Sequence, residues 1–285
     1  MPPPDRPTFG SQPSSGDLPA RYATVHDMYQ QASNERSMRI FPGDFINFGY
    51  WRNLRNAPLT EETRIQSQQN LYKLMFEKLG ITHNTQDTLL EVACGKGKGL
   101  ELLYDTYTPR GKIYGVDFVT EQVQRTQAIL QSKSGNFEIY QNAAEDLRNI
   151  GNKSVDRALS VEAIQHFESP ERFVDELSRV VKPGGRVAIT SFFTEDTSAE
   201  KEKTLKDLFP TMANGIDKTI DINAMKRWLE ASGFRDLEIT SIKEDVLPYF
   251  SKWLNHSLPD YSSTAWADAS EQGLLDYFII TAQKI

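Results

Sequence analysis

The sequence predicts a doubly wound α/β domain behind a helical N-terminal cap. Three observations carry that expectation. Short apolar runs recur from residue 88 onward, segments of helical spacing separate them, and the first run ends in a cluster of glycines. Strands buried on both faces read as continuous apolar runs, and parallel neighbours need crossover helices between them. The runs are TLLEV, KIYGVD, FEIYQ, RALSV, RVAITSF and YFIITAQ. No period of 20 to 50 residues repeats, which excludes a solenoid.

Each element has a local cause. Six of the fourteen prolines fall in residues 1–19 among Gly and Ser, so that stretch reads as a loose tail. Residues 20–80 read as a helical cap or lid that turns aromatic at Phe45, Phe48, Tyr50 and Trp51. Thr60, followed by Glu61 and Glu62, predicts a helix start, and Gly80 a stop after Leu79. Ser169 caps and Pro170 opens a helix over 170–181, whose Phe173, Val174, Leu177, Val180 and Val181 share one face. Pro183, Gly184 and Gly185 turn the chain into the next strand. The main domain therefore occupies 81–285, with a substrate-covering insertion expected at about 193–258. In that insertion the charged run Glu195 to Lys203 reads as the solvated start of a helix.

Composition narrows the function. Thirty-two Lys and Arg against thirty-nine Asp and Glu give a net charge of −7, which disfavours nucleic acid and anionic membrane as partners. The single cysteine, Cys94, forms no intramolecular disulfide, and four scattered histidines offer no metal cluster. No stretch has the apolar length of a membrane span or signal peptide, so a cytoplasmic setting is expected.

The most specific segment runs from Leu89 to Gly99, LLEVACGKGKG, an apolar strand entering a glycine-rich turn and then a helix. Three ligand classes use such a turn: nucleoside triphosphates, pyrophosphate dinucleotides and S-adenosylmethionine. Lys96 and Lys98 are each followed by glycine, so no hydroxyl is placed for the magnesium of a P-loop. Glu91 beside the turn repels a pyrophosphate, whereas it attracts a ligand bearing an amino group and a sulfonium. Both lysine side chains can point from the turn to water.

LLEVACGKGKG resembles the first motif of class I S-adenosylmethionine-dependent methyltransferases, with Ala93 where that family more often has glycine. Asp117 ends the run IYGVD twenty residues past Gly97, and the resemblance implies that it accepts hydrogen bonds from both ribose hydroxyls. Phe118 then resembles the residue packed on adenine, with Gln122 one helical turn on. The run Asn142, Ala143, Ala144, Glu145 resembles the segment that reads the adenine edge. SVEAIQHF over 160–167 resembles the stretch after the fourth strand and brings in Val161, Glu162, His166 and Phe167. RVVKPGG at 179–185 resembles the helix-to-strand signature, and Asn47 to Trp51 the lid of the small-molecule branch, which acts on natural products, polyketides, lipids and terpenoids. The resemblance implies a Rossmann-like, seven-stranded sheet with helices on both faces. It also implies S-adenosylmethionine as cofactor and S-adenosylhomocysteine as its product. The expected cofactor set is Tyr50, Glu91, Ala93, Gly95, Gly97, Asp117, Phe118, Gln122, Asn142, Ala143, Ala144, Glu145 and Val161, with no metal.

For catalysis the candidates are His166 and Glu162, both at the strand edge where open α/β sheets bind ligands. Aromatics concentrated after the fifth strand, with the lid, point to a small and largely apolar acceptor, for which Trp51, Phe167, Phe192, Phe193, Tyr249 and Trp253 are the candidate contacts. O-methylation of a secondary metabolite is the favoured reaction. C-methylation of a terpenoid, prenyl or aromatic carbon is one alternative, and a non-catalytic cofactor-binding subunit another. A homo-oligomer joined through the N-terminal helices is compatible with the sequence.

Overall fold

A computed structural model describes residues 35–195, 197–258 and 260–285. The tail expected at residues 1–19 and the start of the cap lie outside the described residues. The cap begins with α1 (Glu35–Ile40), passes through two short 3-10 turns and ends in α2 (Glu61–Leu79). Thr60 and Thr63 exchange side-chain and backbone hydrogen bonds in a capping box, and Gly80 ends α2 in the left-handed conformation at φ 70°.

The sheet comprises β1 (Leu89–Val92), β2 (Lys112–Asp117), β3 (Asn136–Gln141), β4 (Val155–Val161), β5 (Val181–Phe193), β6 (Phe234–Ser241) and β7 (Asp276–Lys284). Its order is β3-β2-β1-β4-β5-β7-β6, and β7 runs antiparallel to both neighbours. Between these strands lie α3 (Lys98–Tyr107), α4 (Thr120–Leu130), α5 (Pro170–Val180), α6 (Ala199–Leu208), α7 (Pro210–Ala213), α8 (Ile222–Ala231), α9 (Leu247–Ser257) and α10 (Ala265–Glu271). One core packs α2 to α4, α9 and α10 on one sheet face, with Leu71, Met75, Leu100 and Leu103 buried. A second packs α5 and α8 on the other through Val174, Leu177, Met225 and Leu229. The expected fold is thus present. Strand order reverses between β1 and β4, where a crevice opens at the carboxyl ends of the strands.

Two expectations need correction. The segment 193–258 is not one insertion, because it contains α8 and β6, both parts of the layered domain. The cover consists of α6 and α7, then α9 and α10. β6 has no apolar run, since an edge strand buries little: FRDLEITS is mostly exposed or half-buried.

The cap is held down by one buried cation. Arg64 is fully buried and donates to the backbone carbonyls of Phe48 (3.1 Å), Asn47 (2.5 Å) and Ile40 (3.3 Å). Burial lowers its pKa to about 9, so it remains charged at neutral pH. Arg64→Met removes the guanidinium from the Asn47 carbonyl and strips a second donor from those of Phe48 and Ile40, which keep the Trp51 and Trp253 indole N–H groups. The expected loss is about 3–5 kcal/mol in urea unfolding, and a loss below about 1 kcal/mol contradicts this role.

Candidate active site

The glycine turn follows from its backbone angles. Gly95 (φ 53°) and Gly97 (φ 76°) are left-handed, as is Ala93 at φ 60°. The position where the related motif has glycine is therefore strained here, at about 1–2 kcal/mol. Gly99 serves a different need: a Cβ there would lie 2.3 Å from the Tyr72 ring and 2.7 Å from Glu91 Oε1.

Around this turn lies a cleft lined by Asp44, Ile46, Tyr72, Ala93, Gly95, Lys96, Asp117, Phe118, Gln122, Val161, Glu162, His166 and Phe167, among others. Asp117 is oriented by the Gly95 N–H (2.8 Å) and the Val119 N–H (2.9 Å), one on each carboxylate oxygen. The Phe118 N–H also bears on this carboxylate, which leaves lone-pair capacity for a ribose hydroxyl. Burial raises its pKa to about 6. Glu91 lies beneath the turn, accepting the Tyr72 hydroxyl at 2.9 Å on Oε1, while its Oε2 and the Oε1 of Gln122 are buried without a partner among the described residues. Burial, reinforced by Asp117 and opposed by the Tyr72 hydrogen bond, pushes Glu91 up to about 8. Unpaired buried acceptors beside a backbone cradle fit a cationic nucleoside.

The adenine-edge segment is placed differently from expectation. The Asn142 N–H bonds the Asp117 carbonyl (3.0 Å), and Asn142 Oδ1 is buried without a described partner. Ala143 does not line the cleft. Ala144 is buried in the core of the opposite sheet face, and Glu145 accepts the Ser169 N–H (3.0 Å) at the head of α5. Tyr50 also lies off the cleft: its N–H bonds Ser67, and Arg52 stands 5.5 Å over its ring.

A second, larger cavity of about 620 Å³ adjoins the first. Phe48, Phe192, Phe209, Phe250 and Trp266 form its apolar wall, with Gln165, His166 and Asp217 at its inner end. Phe48 stacks on Phe250 at 3.8 Å between ring centroids and meets Trp266 edge-on at 4.6 Å. Ile46, Lys96, Glu162 and His166 line both cavities and so form their shared wall.

Of the expected acceptor contacts, only Phe192 lines the large cavity. Phe167 faces the cofactor cleft. Phe193 follows Phe192 in β5 and points to the other sheet face, where it packs on Phe278. Trp51, Tyr249 and Trp253 form a separate cluster with Leu54. Buried Asp245 draws Trp51 there: its carbonyl accepts the Trp51 N–H at 2.9 Å, and its carboxylate binds Arg52 and Arg55. Lys96 corrects another expectation, being 7% exposed and bonded to Asp44 Oδ1 at 2.6 Å rather than turned to water.

Glu162, expected as a catalytic group, is committed elsewhere. Both of its carboxylate oxygens accept the Phe48 N–H (2.8 and 3.0 Å), and the Tyr277 hydroxyl donates to one of them. Burial pushes its pKa up to about 8 against the pull of these bonds and of Arg64. It acts as a positioning residue that fixes the lid.

His166 stands at the junction with a defined tautomer. Nδ1 is 3.2 Å from the Ile216 carbonyl and 3.4 Å from Asp217 Oδ1, so Nδ1 carries the proton. The Gln165 amide, bonded to the Glu162 carbonyl at 2.9 Å, stands 3.3 Å from Nε2 and marks it as the acceptor nitrogen. Asp217, Tyr72 and Arg64 were not read from the sequence, since none lies in a motif, and Gln165 was not singled out within SVEAIQHF.

Such a cleft at a sheet's switch point, with acidic residues ending β1 and β2, defines a Rossmann-like enzyme that binds a nucleoside cofactor. Comparison with known proteins makes this particular. Residues 90–189 match the family described as methyltransferase domain. The chain is 26% identical over 243 residues to O-methyltransferase resE of Aspergillus sclerotiorum, covering 83% of each. It is 26% identical over 267 residues to erythromycin 3''-O-methyltransferase of Saccharopolyspora erythraea, covering 85% of this chain and 84% of that one. Geranyl diphosphate C-methyltransferase from Streptomyces coelicolor shares the fold, with a TM-score of 0.76 and 13% identity over 96% of this chain and 100% of that one. Residues 90–189 thus carry a methyltransferase domain, and the family and these relatives support S-adenosylmethionine-dependent methyltransferase activity. No described helix is long and apolar enough to cross a membrane.

The Glu91 pKa has a signed consequence. Below about pH 8 the carboxyl is mostly protonated before a cation arrives, and binding must release that proton. S-adenosylmethionine affinity is therefore expected to rise between pH 6 and 8 and then level, with proton release visible in calorimetry across buffers. Glu91→Gln flattens the profile; an equal slope in the variant contradicts the assignment.

Proposed function

We propose that the protein methylates a hydroxyl oxygen of a small, largely apolar secondary metabolite, with His166 as general base. The observation that carries this reading is the position of His166 on the wall between cofactor cleft and aromatic cavity, its Nδ1–H directed at Ile216 and Asp217. Its Nε2, which faces the Gln165 amide at 3.3 Å, is then the group that takes the proton once an acceptor hydroxyl displaces that amide. When bound, S-adenosylmethionine supplies an already activated methyl group on a sulfonium.

The chain's own contribution is orientation and proton removal. Asp117 and Glu91 set the depth and direction of the nucleoside, and the aromatic wall with the clamped lid excludes water and holds the acceptor. Alignment of this kind contributes up to about 7–11 kcal/mol in well-oriented reactions, and a general base about 10²–10⁴-fold. Asp217 holds the imidazole in its tautomer and stabilises the imidazolium that forms. The names of resE and the erythromycin enzyme, both O-methyltransferases, support oxygen as the acceptor.

A carbon acceptor is the second reading. It is favoured by the seven aromatic side chains of the cavity, whose π faces stabilise a transient cation. Incubation with ¹³C-methyl-labelled cofactor and a metabolite extract from the source organism separates the two by the chemical shift of the transferred methyl. A methoxy signal is expected. His166→Ala is expected to lower kcat about 10²–10⁴-fold with cofactor affinity retained, and Asp217→Asn to lower it less. A methyl on carbon, or equal loss of turnover and cofactor affinity, rejects the base role; no incorporation favours a non-catalytic subunit.

A further inference from the structure

We propose that Lys96 is a substrate-binding residue that selects acceptors whose reacting hydroxyl is conjugated to, and flanked by, a carbonyl oxygen. The inference rests on the oxygen-methylation reading and deepens it. Three polar side chains, Lys96, Glu162 and His166, line both cavities, and two more of the aromatic cavity's lining, Gln165 and Asp217, stand beside His166. Four are engaged with the protein. Glu162 holds the Phe48 N–H and the Tyr277 hydroxyl. Gln165 donates to the Glu162 carbonyl and accepts from Ser191 (2.8 Å). Asp217 is paired with His166 Nδ1, and His166 Nε2 faces the Gln165 amide at 3.3 Å, a bond that an acceptor hydroxyl would have to displace.

Lys96 differs from these. Its ammonium has three N–H donors, and among the described residues Asp44 is its one hydrogen-bonding partner. The Asp44 carboxylate is itself 53% exposed, while the Lys96 side chain is 7% exposed. A buried ammonium with donors to spare is a poor structural element and a good anchor for an oxygen. It lies on the same wall as His166, so an acceptor that presents its hydroxyl to His166 brings a neighbouring oxygen within the lysine's sphere. An isolated alcohol or an alkene offers no such oxygen. A hydroxyl conjugated to a carbonyl does, and it carries negative charge on both oxygens once its proton leaves for Nε2.

The test uses two probes of the same bicyclic shape, 2-hydroxy-1,4-naphthoquinone and 2-naphthol. Binding is measured by calorimetry on the full chain saturated with S-adenosylhomocysteine. The affinity ratio is the readout, so a loss common to both probes cancels. The wild-type protein is expected to prefer the hydroxyquinone about tenfold or more. Lys96→Met abolishes the preference and Lys96→Arg keeps it. Asp44→Asn, which removes the ion pair and keeps the cation, also keeps it. Equal affinities in the wild type, a preference that survives in Lys96→Met, or no binding of the hydroxyquinone overturns the proposal. Because binding is read without turnover, a carbon-methylated product alongside an intact lysine-dependent preference would reject oxygen methylation alone.

Discussion

The structure depends on how one peptide group, that of Phe48, is held. Its N–H is bound by both oxygens of the buried Glu162 carboxylate, and its carbonyl by the buried Arg64 guanidinium. Glu162 belongs to the turn after β4 and Arg64 to α2, so this peptide joins the cap to the end of the central sheet. Taking the Arg64 charge and the Glu162 carboxyl out of water is costly unless their hydrogen bonds are complete. Here the lid backbone completes them, and the lid therefore has one place to sit.

That placement builds the active site. With Phe48 fixed, its ring stacks on Phe250 and meets Trp266, closing one side of the large cavity. Ile46, two residues earlier, reaches the wall shared with the cofactor cleft, and Asp44 comes within reach of Lys96. Glu162 is also left-handed at φ 47°, a strained conformation for a residue with a side chain, and the same turn carries His166 to the junction. A carboxylate that looks catalytic by position thus works as the attachment point of the lid, while the imidazole four residues later lines both cavities.

Much of the fold was legible because its signals are local. Glycine at left-handed positions, Thr60 and Ser169 at helix starts and the apolar runs of buried strands each act within a few residues. The cleft at the ends of β1 and β2 was legible for the same reason, since Asp117, Phe118 and Gln122, which line it, follow from motif spacing. The edge strand β6 was not, because exposure removes its apolar pattern. Nor was the acceptor cavity: Phe192 and Phe193 are chemically alike, and only strand alternation sends one to the cavity and the other to the opposite core. Asp217 and Arg64 are distant in sequence from the groups they serve, and tertiary packing alone brings them together.

On the proposed reading, the methyl group crosses from cleft to cavity at the wall shared by Ile46, Lys96, Glu162 and His166. A crystal structure with bound S-adenosylhomocysteine tests it most directly. The expected result is a ribose on Asp117, an amino-acid end over the glycine turn above Glu91, and a sulfur facing the aromatic cavity at that wall. A sulfur directed away from the cavity, or a nucleoside bound anywhere other than the ends of β1 and β2, contradicts the account.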